Sequence, residues 1–436
     1  MRIVWGLGIA AALIAAAPGW SDALSDAADV PPAPMPVEVP IPVGTGPSGL
    51  SRWFNPETAP FIPVPLISTD PNSGSTFGLI PTWVKTDENH NVTRIIAPDI
   101  LVNENFGIGV HGRIFAYSSA DEQWSLVAGI KERVEREFDF EYQRGRAREE
   151  RWSINYSLIW DRDGTPRFYG IGNGTPASSQ TNYTNQQEFA RVQIGLNLTH
   201  AWQLQYTAQF QLVDVLPGTI DEVPSIQTLF PTVFGLGTNK EQLNRLAIVY
   251  DTRDDQSIPT RGVEWVVYGG AAAKNGVLNN SGYSEFGMDG RGFWPVAPDA
   301  ELAAHLALHY LPGSGQVPFW ALSNIGGGES QIGGAQPLRG YGEGRFYDRN
   351  SFSASIELRC KVFTFDAVTT KLDIEIAPFV DLGSVFAKTG TAPVDELHQV
   401  YGIGFRGIAR PFVVGYVDIG HGSEGLAVFT GLNYPF

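Results

Sequence analysis

Arg339 is the one arginine of the glycine-rich segment 326–341, and it is well suited to a specific polar interaction. Gly340 and Tyr341 follow it, and glycine lets a backbone pass close to its neighbours. Further along, Glu357 and Asp381 each stand between two apolar residues. A planar guanidinium forms paired hydrogen bonds with carboxylates. These residue types suit an ion pair, and an ion pair of this kind is a structural contact and not a catalytic group.

The residue types that usually act as nucleophiles or metal ligands are dispersed along the chain. His305 and His309 share one face of a strand, but the strand separates them by about 13 Å, too far for one metal ion. No serine-containing nucleophile elbow accompanies the histidines. We therefore expect no metal site, no cofactor and no enzymatic activity. A serine and a histidine side by side on adjacent strands, as in a lipase-like membrane barrel, would be the catalytic alternative.

Charge and composition exclude several classes of protein. The formal net charge is −16, so the chain lacks the basic surface that nucleic acid binding needs. The single cysteine, Cys360, excludes an intramolecular disulfide. Only 17% of residues are charged, 49 are glycine, and the mean hydropathy is −0.09. This composition is too polar for a bundle of transmembrane helices and indicates a large β protein, which could cross a membrane only as a closed barrel.

Alternation of apolar and polar residues with a period of two runs through most of the chain. Between Trp202 and Leu212 every even position is apolar and every odd position is glutamine or threonine. Such a segment is a strand with one apolar and one polar face. We therefore predict an all-β, transmembrane antiparallel barrel whose apolar face meets lipid. The same parity directs Glu357 and Asp381 towards the lumen.

Sixteen strands are predicted between residue 75 and the end of the sequence. One of them is the charged run 123–142, which is about twice the length needed to cross a membrane. The long connections 162–185, 215–241 and 312–349 fall on one rim of this barrel. Short turns, among them Glu104-Asn105, fall on the other. This sorting is typical of an outer-membrane barrel with short periplasmic turns, so both termini are expected to be periplasmic.

The chain divides into three parts. An apolar run, Ile3–Ala17, follows Arg2 and precedes small residues, so 1–23 is predicted to be a cleaved signal peptide. Seven prolines between residues 31 and 47 predict that 24–60 is a periplasmic linker without a domain of its own. The remainder, 61–436, is the predicted barrel. These features predict export to the outer membrane of a Gram-negative bacterium.

Several motifs, in order, resemble the barrel domain of the bacterial surface antigen family, the BamA/TamA-like outer-membrane proteins. They are Asp251-Thr252-Arg253-Asp254 with Pro259-Thr260-Arg261-Gly262, Gly333 to Tyr341, Ser355 to Arg359, and Phe379 to Gly383. In that family an Arg-Gly-aromatic loop folds into the lumen of a sixteen-stranded barrel. The resemblance implies that Arg339 anchors such a loop and that Glu357 and Asp381 are its partners. It also implies that the loop is extracellular and enters with Gly340 and Tyr341.

The resemblance implies a role in outer-membrane biogenesis, with protein or lipid inserted or translocated at the seam between the first and last strands. Well-known members carry periplasmic POTRA modules before the barrel, whereas only 24–60 precedes it here. We therefore expect outer-membrane lipids as partners and a separate periplasmic protein that supplies substrate. A passive or substrate-selective diffusion pore is the alternative function, and a loop inside the lumen argues against a wide pore.

The last alternating run, Leu426–Phe436, ends on Tyr434 and Phe436. Barrels that are handed to the outer-membrane assembly machinery end in this way. We therefore predict that Tyr434 and Phe436 form the assembly signal of this chain.

Overall fold

The computed structural model describes residues 62–436 except for short segments. The gaps are 87–91, 120, 146–147, 257, 280, 314, 328–337, 368–369, 389, 391–393, 395, 410–412 and 433. The predicted signal peptide, 1–23, and the predicted linker, 24–60, lie outside the described residues. In the part of the chain that is described, no helix is long and apolar enough to cross a membrane.

Strands are the main regular structure of the described residues. They are β1 Ile62–Asp70, β2 Gly74–Thr86, β3 Val92–Ile96, β4 Asp99–Asn103, β5 Gly107–Ser119, β6 Glu122–Lys131, β7 Arg136–Arg144, β8 Trp152–Asp163, β9 Arg167–Phe168, β10 Thr181–Asn197 and β11 Trp202–Pro217. After them come β12 Gly237–Asp251, β13 Gly262–Ala272, β14 Tyr283–Ala297, β15 Ala300–Tyr310, β16 Ser323–Ile325, β17 Phe346–Asp348, β18 Asn350–Ala367, β19 Thr370–Phe386, β20 His398–Ala409, β21 Val413–Gly422 and β22 Gly425–Leu432. Three single helical turns interrupt the connections at Ala177–Ser179, Ile226–Leu229 and Phe319–Ala321.

Twenty of these segments form one antiparallel sheet that continues around the wall, and β22 returns to lie beside β1. The prediction of an all-β barrel is therefore confirmed. The number of strands around the barrel is smaller than the number of segments, for two reasons. β3 and β4 share one position, because both pair with β2 and β5. β9 pairs only with the first residues of β10. The described sheet thus has eighteen positions, and the predicted count of sixteen is not confirmed.

One additional strand is β1, which lies between the predicted linker and the first predicted strand at residue 75. Its prolines, Pro63 and Pro65, lack a backbone N–H, so this segment cannot pair fully with a strand on each side. Such prolines are typical of a linker. A strand at the edge of a sheet tolerates proline, because one row of its backbone groups is unpaired there. β1 pairs with β2 along its whole length, from Ile62 opposite Thr82 to Asp70 opposite Gly74.

The other additional strand comes from the run 123–142, which the prediction treated as one long strand and which is a hairpin of β6 and β7. The turn 132–135 between them contains neither glycine nor proline, and Val134 adopts a positive φ of 50° there. In the ladder Ala128 lies opposite Phe138, so even residues face even residues. Apolar and polar residues therefore continue to alternate through the turn without a break. The sequence pattern gives no sign that a turn is present.

The long connections lie on one rim, as the sorting by length predicts. This long-loop rim carries 164–180, 218–236, 273–282, 311–349 and 387–397. The assignment of the Glu104-Asn105 turn to the opposite rim was wrong. Adding β1 shifts this turn to the long-loop rim, where the Asn105 amide donates to the Ser73 carbonyl (2.9 Å). Splitting 123–142 then restores the predicted side for every later loop.

The two faces of the wall differ as a membrane barrel requires. Large apolar side chains point outwards along many strands, and Leu246, Phe77 and Val267 expose more than half of their surface. An apolar band of this extent is characteristic of a lipid-facing surface. Inside, an apolar cluster packs between the long loops beneath their rim and includes Phe168, Ile226, Phe319, Leu322 and Tyr347.

This orientation predicts which engineered cysteines a membrane-impermeant maleimide can reach. Gly174 lies in a long connection with open space around its Cα, whereas His200 lies in a short turn on the other rim. In a Cys360→Ala background on intact cells, Gly174→Cys should be labelled, and His200→Cys should be labelled only after permeabilisation. The reverse labelling pattern would show that the barrel has the opposite orientation in the membrane.

Candidate functional site: an arginine cluster in the lumen

The described part of the connection 311–349 turns into the barrel and brings Arg339 with it. The two short strands β16 and β17 pair with each other at its base. Residues 328–337, part of the predicted loop, lie outside the described residues. After them Leu338 adopts a positive φ of 60° and is fully buried. Gly340 then passes so close to the wall that a Cβ on it would lie 2.8 Å from the Gly422 nitrogen.

Arg339 is fully buried and uses every one of its side-chain N–H groups. Its Nε and Nη2 donate to the two carboxylate oxygens of Asp381 at 3.0 and 2.8 Å. Nη1 donates to Glu357 Oε2 at 2.9 Å and to Asp418 Oδ2 at 3.0 Å. Nη2 also donates to the Ser355 hydroxyl at 3.0 Å. The loop is therefore joined by one side chain to three strands of the wall, β18, β19 and β21.

Further contacts fix the direction of this arginine. Its backbone N–H donates to Asp381 Oδ2 at 3.0 Å, so one carboxylate holds both the side chain and the chain that carries it. The guanidinium carbon lies 3.6 Å from the centre of the Phe379 ring. Burial alone would lower the pKa of Arg339, but the nearby Asp381 and Asp418 carboxylates raise it well above its usual value. The guanidinium therefore stays charged.

Two more arginines complete the cluster, and Glu357 lies between all three. Glu357 Oε1 accepts from Arg359 Nε at 2.6 Å, and its Oε2 lies 3.4 Å from Arg406 Nη2. Arg406 also forms an ion pair with Asp418. Glu357, Arg359 and Arg406 are buried like Arg339. Opposite charges thus alternate through the cluster, which offsets the cost of removing them from water.

The structure brings together Arg339, Glu357 and Asp381, which sequence reasoning had paired, and it places Tyr341 beside them. Tyr341 is 2% exposed and contacts the rings of Phe346 and His398. Sequence reasoning missed Asp418 and Arg406. A signal for both was present, because each is a charged residue between lipid-facing neighbours in an alternating strand. Applying the parity argument to β20 and β21 would have found them.

Tyr434 and Phe436 lie beyond the end of β22 and face the same cluster. The Arg359 guanidinium stacks 3.7 Å from the centre of the Tyr434 ring, and its Nη2 donates to the Phe436 carbonyl at 3.3 Å. The Phe436 ring is buried against Phe293 and Ala303. Their role as an assembly signal stays a prediction.

The motif around Asp251 belongs to a different place in the barrel. Arg253 forms a two-point ion pair with Asp251, both bonds 3.0 Å, and pairs with Glu264 at 2.8 Å. In the turn that follows, Asp254 accepts backbone N–H groups of Thr260 and Arg261 at 2.9 and 3.1 Å. Burial alone would raise the pKa of Asp254, but these hydrogen bonds and that of the Thr260 hydroxyl hold it below its usual value. This motif builds a turn on the short-turn rim, where Ile258 packs against Tyr434, the residue whose ring stacks on Arg359.

A serine and a histidine do lie opposite each other on adjacent strands, as the catalytic alternative requires. The register of β15 and β18 aligns His305 with Ser355. The Ser355 hydroxyl, however, donates to Asp381 Oδ1 at 2.5 Å, and His305 Nε2 lies 2.8 Å from Asp289 Oδ2. Ser355 is thus committed to the cluster and His305 to a separate pair.

Comparison with known proteins gives a family and two similar folds. The crystal structure of BamA from Haemophilus ducreyi lacking POTRA domains 1–3 has a TM-score of 0.51 and 13% identity, covering 81% of this chain and 75% of that one. CdiB from Escherichia coli has a TM-score of 0.54 and 11% identity, covering 85% and 67%. These likenesses concern the fold. No curated protein matches the chain. The Omp85 superfamily domain matches residues 122–408, well over half of the sequence, and the chain therefore belongs to the Omp85 superfamily.

Proposed function

We propose that this chain is an outer-membrane β-barrel that inserts or translocates protein or lipid at the seam between β1 and β22. The observation that carries the proposal is the seam itself. β1 and β22 lie side by side, yet no hydrogen-bonded ladder joins these two described strands. Each strand elsewhere around the wall is held to its neighbours by a ladder, for example eight residue pairs between β21 and β22. The seam is therefore the place where opening the wall requires the least free energy.

The interior supports transport at the seam over transport through the lumen. Arg339 and its partners occupy the space beside β18–β21, and the apolar cluster around Phe319 fills the region beneath the long-loop rim. A passive pore needs an open aqueous path along the barrel axis. Ions and solutes would have to displace these packed side chains, so a wide diffusion pore is the less favoured function.

Membership in the Omp85 superfamily supports the same proposal, and the apolar outer face supports outer-membrane lipids as direct partners. We assign the arginine cluster a structural role, because its carboxylates are held by arginine donors and its one hydroxyl, that of Ser355, is bound to Asp381. Substrate would reach the barrel from a separate periplasmic protein. The seam then presents the unpaired edges of β1 and β22 to that substrate.

A reversible covalent bond across the seam tests this function. Cysteines at Leu66 or Ser68 of β1 are combined with cysteines at Ala427 or Phe429 of β22 in a Cys360→Ala background, and the pair that forms a disulfide is selected. With the wild-type copy depleted, oxidation should reduce the host's outer-membrane protein or surface lipid content, and a reductant should restore it.

The matched control joins two strands that are already paired. Ile419 and Val428 lie opposite each other in the β21–β22 ladder, so a disulfide between cysteines there leaves the seam free. This control should retain function when oxidised. Full function of the oxidised seam variant would refute a role for seam opening.

A further inference from the structure

Two hairpin turns flank the seam on the long-loop rim. One is the β1–β2 turn, 71–73, and the other is the β21–β22 turn, 423–424. Residues 341–345, which belong to the connection 311–349, contact both turns. Because β1 and β22 share no ladder, these contacts connect the two sides of the seam at this rim.

On the β22 side the loop is bound by a hydroxyl pair and an ion pair. The Tyr341 hydroxyl lies 2.9 Å from the Ser423 hydroxyl and accepts the Ser423 backbone N–H at 3.1 Å. Arg345 donates to Glu424 through Nε at 2.8 Å and through Nη2 at 2.5 Å. Arg339 adds its bond to Asp418 on β21. The loop and the last hairpin therefore behave as one unit.

On the β1 side the contact is a neutral hydrogen bond with close packing. The Asn72 side chain is 5% exposed, and its Nδ2 donates to the Glu343 carbonyl at 2.9 Å. Gly342 lies directly against it, since a Cβ on Gly342 would lie 2.6 Å from Asn72 Oδ1. The Asn72 carbonyl in turn accepts from Arg167 Nη2.

We propose that residues 341–345 are a latch that holds the long-loop end of the β1–β22 seam shut, and that the latch releases at Asn72. This inference rests on the proposed function of the seam. Charge-assisted hydrogen bonds are roughly twice as strong as neutral ones. The ion pairs of Arg345 and Arg339 therefore keep the loop on the last hairpin, while the Asn72 contact separates. Opening moves the β1–β2 hairpin away from a fixed unit formed by the loop and the last hairpin.

Distances across the seam test the latch without any assay of transport. Spin labels are placed at Phe77→Cys on β2 and Leu426→Cys on β22, both exposed on the lipid face, in a Cys360→Ala background. Double electron–electron resonance on the purified barrel in lipid nanodiscs then reports the width of the seam. The unmodified latch should give one narrow distance, and Asn72→Ala should raise the population of longer distances several-fold.

Two further variants sharpen the test. Gly342→Ala introduces a methyl group against Asn72 and should widen the seam as Asn72→Ala does. Asn239→Ala is the matched control, because Asn239 is a buried asparagine on the same rim that donates to the Gly235 and Gly237 carbonyls far from the seam. It should leave the distance unchanged. Each variant is first shown to be folded by its heat-modifiable electrophoretic mobility.

An unchanged distance distribution in both folded seam variants would overturn the latch. A shift of equal size in Asn239→Ala would overturn it as well, because a general loosening of the rim would then explain the data. A different result would refute the proposed function. If the distances respond but the oxidised seam disulfide leaves the host unaffected, the latch stands and the transport role does not.

Discussion

Replacing Arg339 by alanine is expected to destabilise the folded barrel by about 3–5 kcal/mol, the cost of leaving buried charges without their partner. Glu357 and Asp418 would keep their ion pairs with Arg359 and Arg406, whereas the buried Asp381 would lose the guanidinium that binds both of its oxygens. Equilibrium unfolding by urea in lipid vesicles measures the change. Arg261, whose side chain is 76% exposed on the short-turn rim, is the control, and its alanine variant should change stability by no more than about 1 kcal/mol.

The pairing is separated from a general packing defect by two further variants. Arg339→Lys should recover only part of the loss, because an ammonium cannot form the forked bond to Asp381. The double variant Arg339→Ala with Asp381→Ala should cost less than the sum of the single variants, since each removes the same interaction. Simple additivity, or full rescue by lysine, would contradict the pairing.

The second large effect is expected at Glu357, because this carboxylate is shared by three buried arginines. Glu357→Gln keeps the size of the side chain and removes its charge, so Arg339, Arg359 and Arg406 would face each other with less compensation. The expected loss is again about 3–5 kcal/mol in the same unfolding measurement. Glu150→Gln breaks only the exposed pair with Arg144 and should change stability by about 1 kcal/mol or less. Equal small losses in both variants would show that Glu357 does not organise the cluster.

The barrel and the inward direction of Glu357 and Asp381 could be predicted from the sequence for the same physical reason, whereas their pairing with Arg339 was implied by the family resemblance. Side chains alternate between lipid and lumen, so a carboxylate between two apolar neighbours must face inwards. This argument places Glu357 and Asp381 inside, and a glycine-rich loop can bring Arg339 to them. Asp418 satisfies the same rule and was overlooked only because no motif pointed to β21.

The strand count was harder to predict because two kinds of signal are misleading. Prolines in β1 are typical of a linker, and only the neighbouring β2 shows that the segment is an edge strand. The β6–β7 turn keeps the parity of its strands, so alternation runs through it without a break. Contacts at the seam join residues that are far apart in the sequence, such as Asn72 and Glu343. No local sequence pattern predicts such contacts.

We expect the loop anchored by Arg339 to close the lumen, so that transport takes place at the wall. Single-channel conductance of the purified barrel in a planar lipid bilayer tests it most directly. The wild-type barrel should give small, fluctuating currents, and folded Arg339→Ala should give larger, more stable currents. Large stable currents from the wild-type barrel, unchanged by Arg339→Ala, would contradict it.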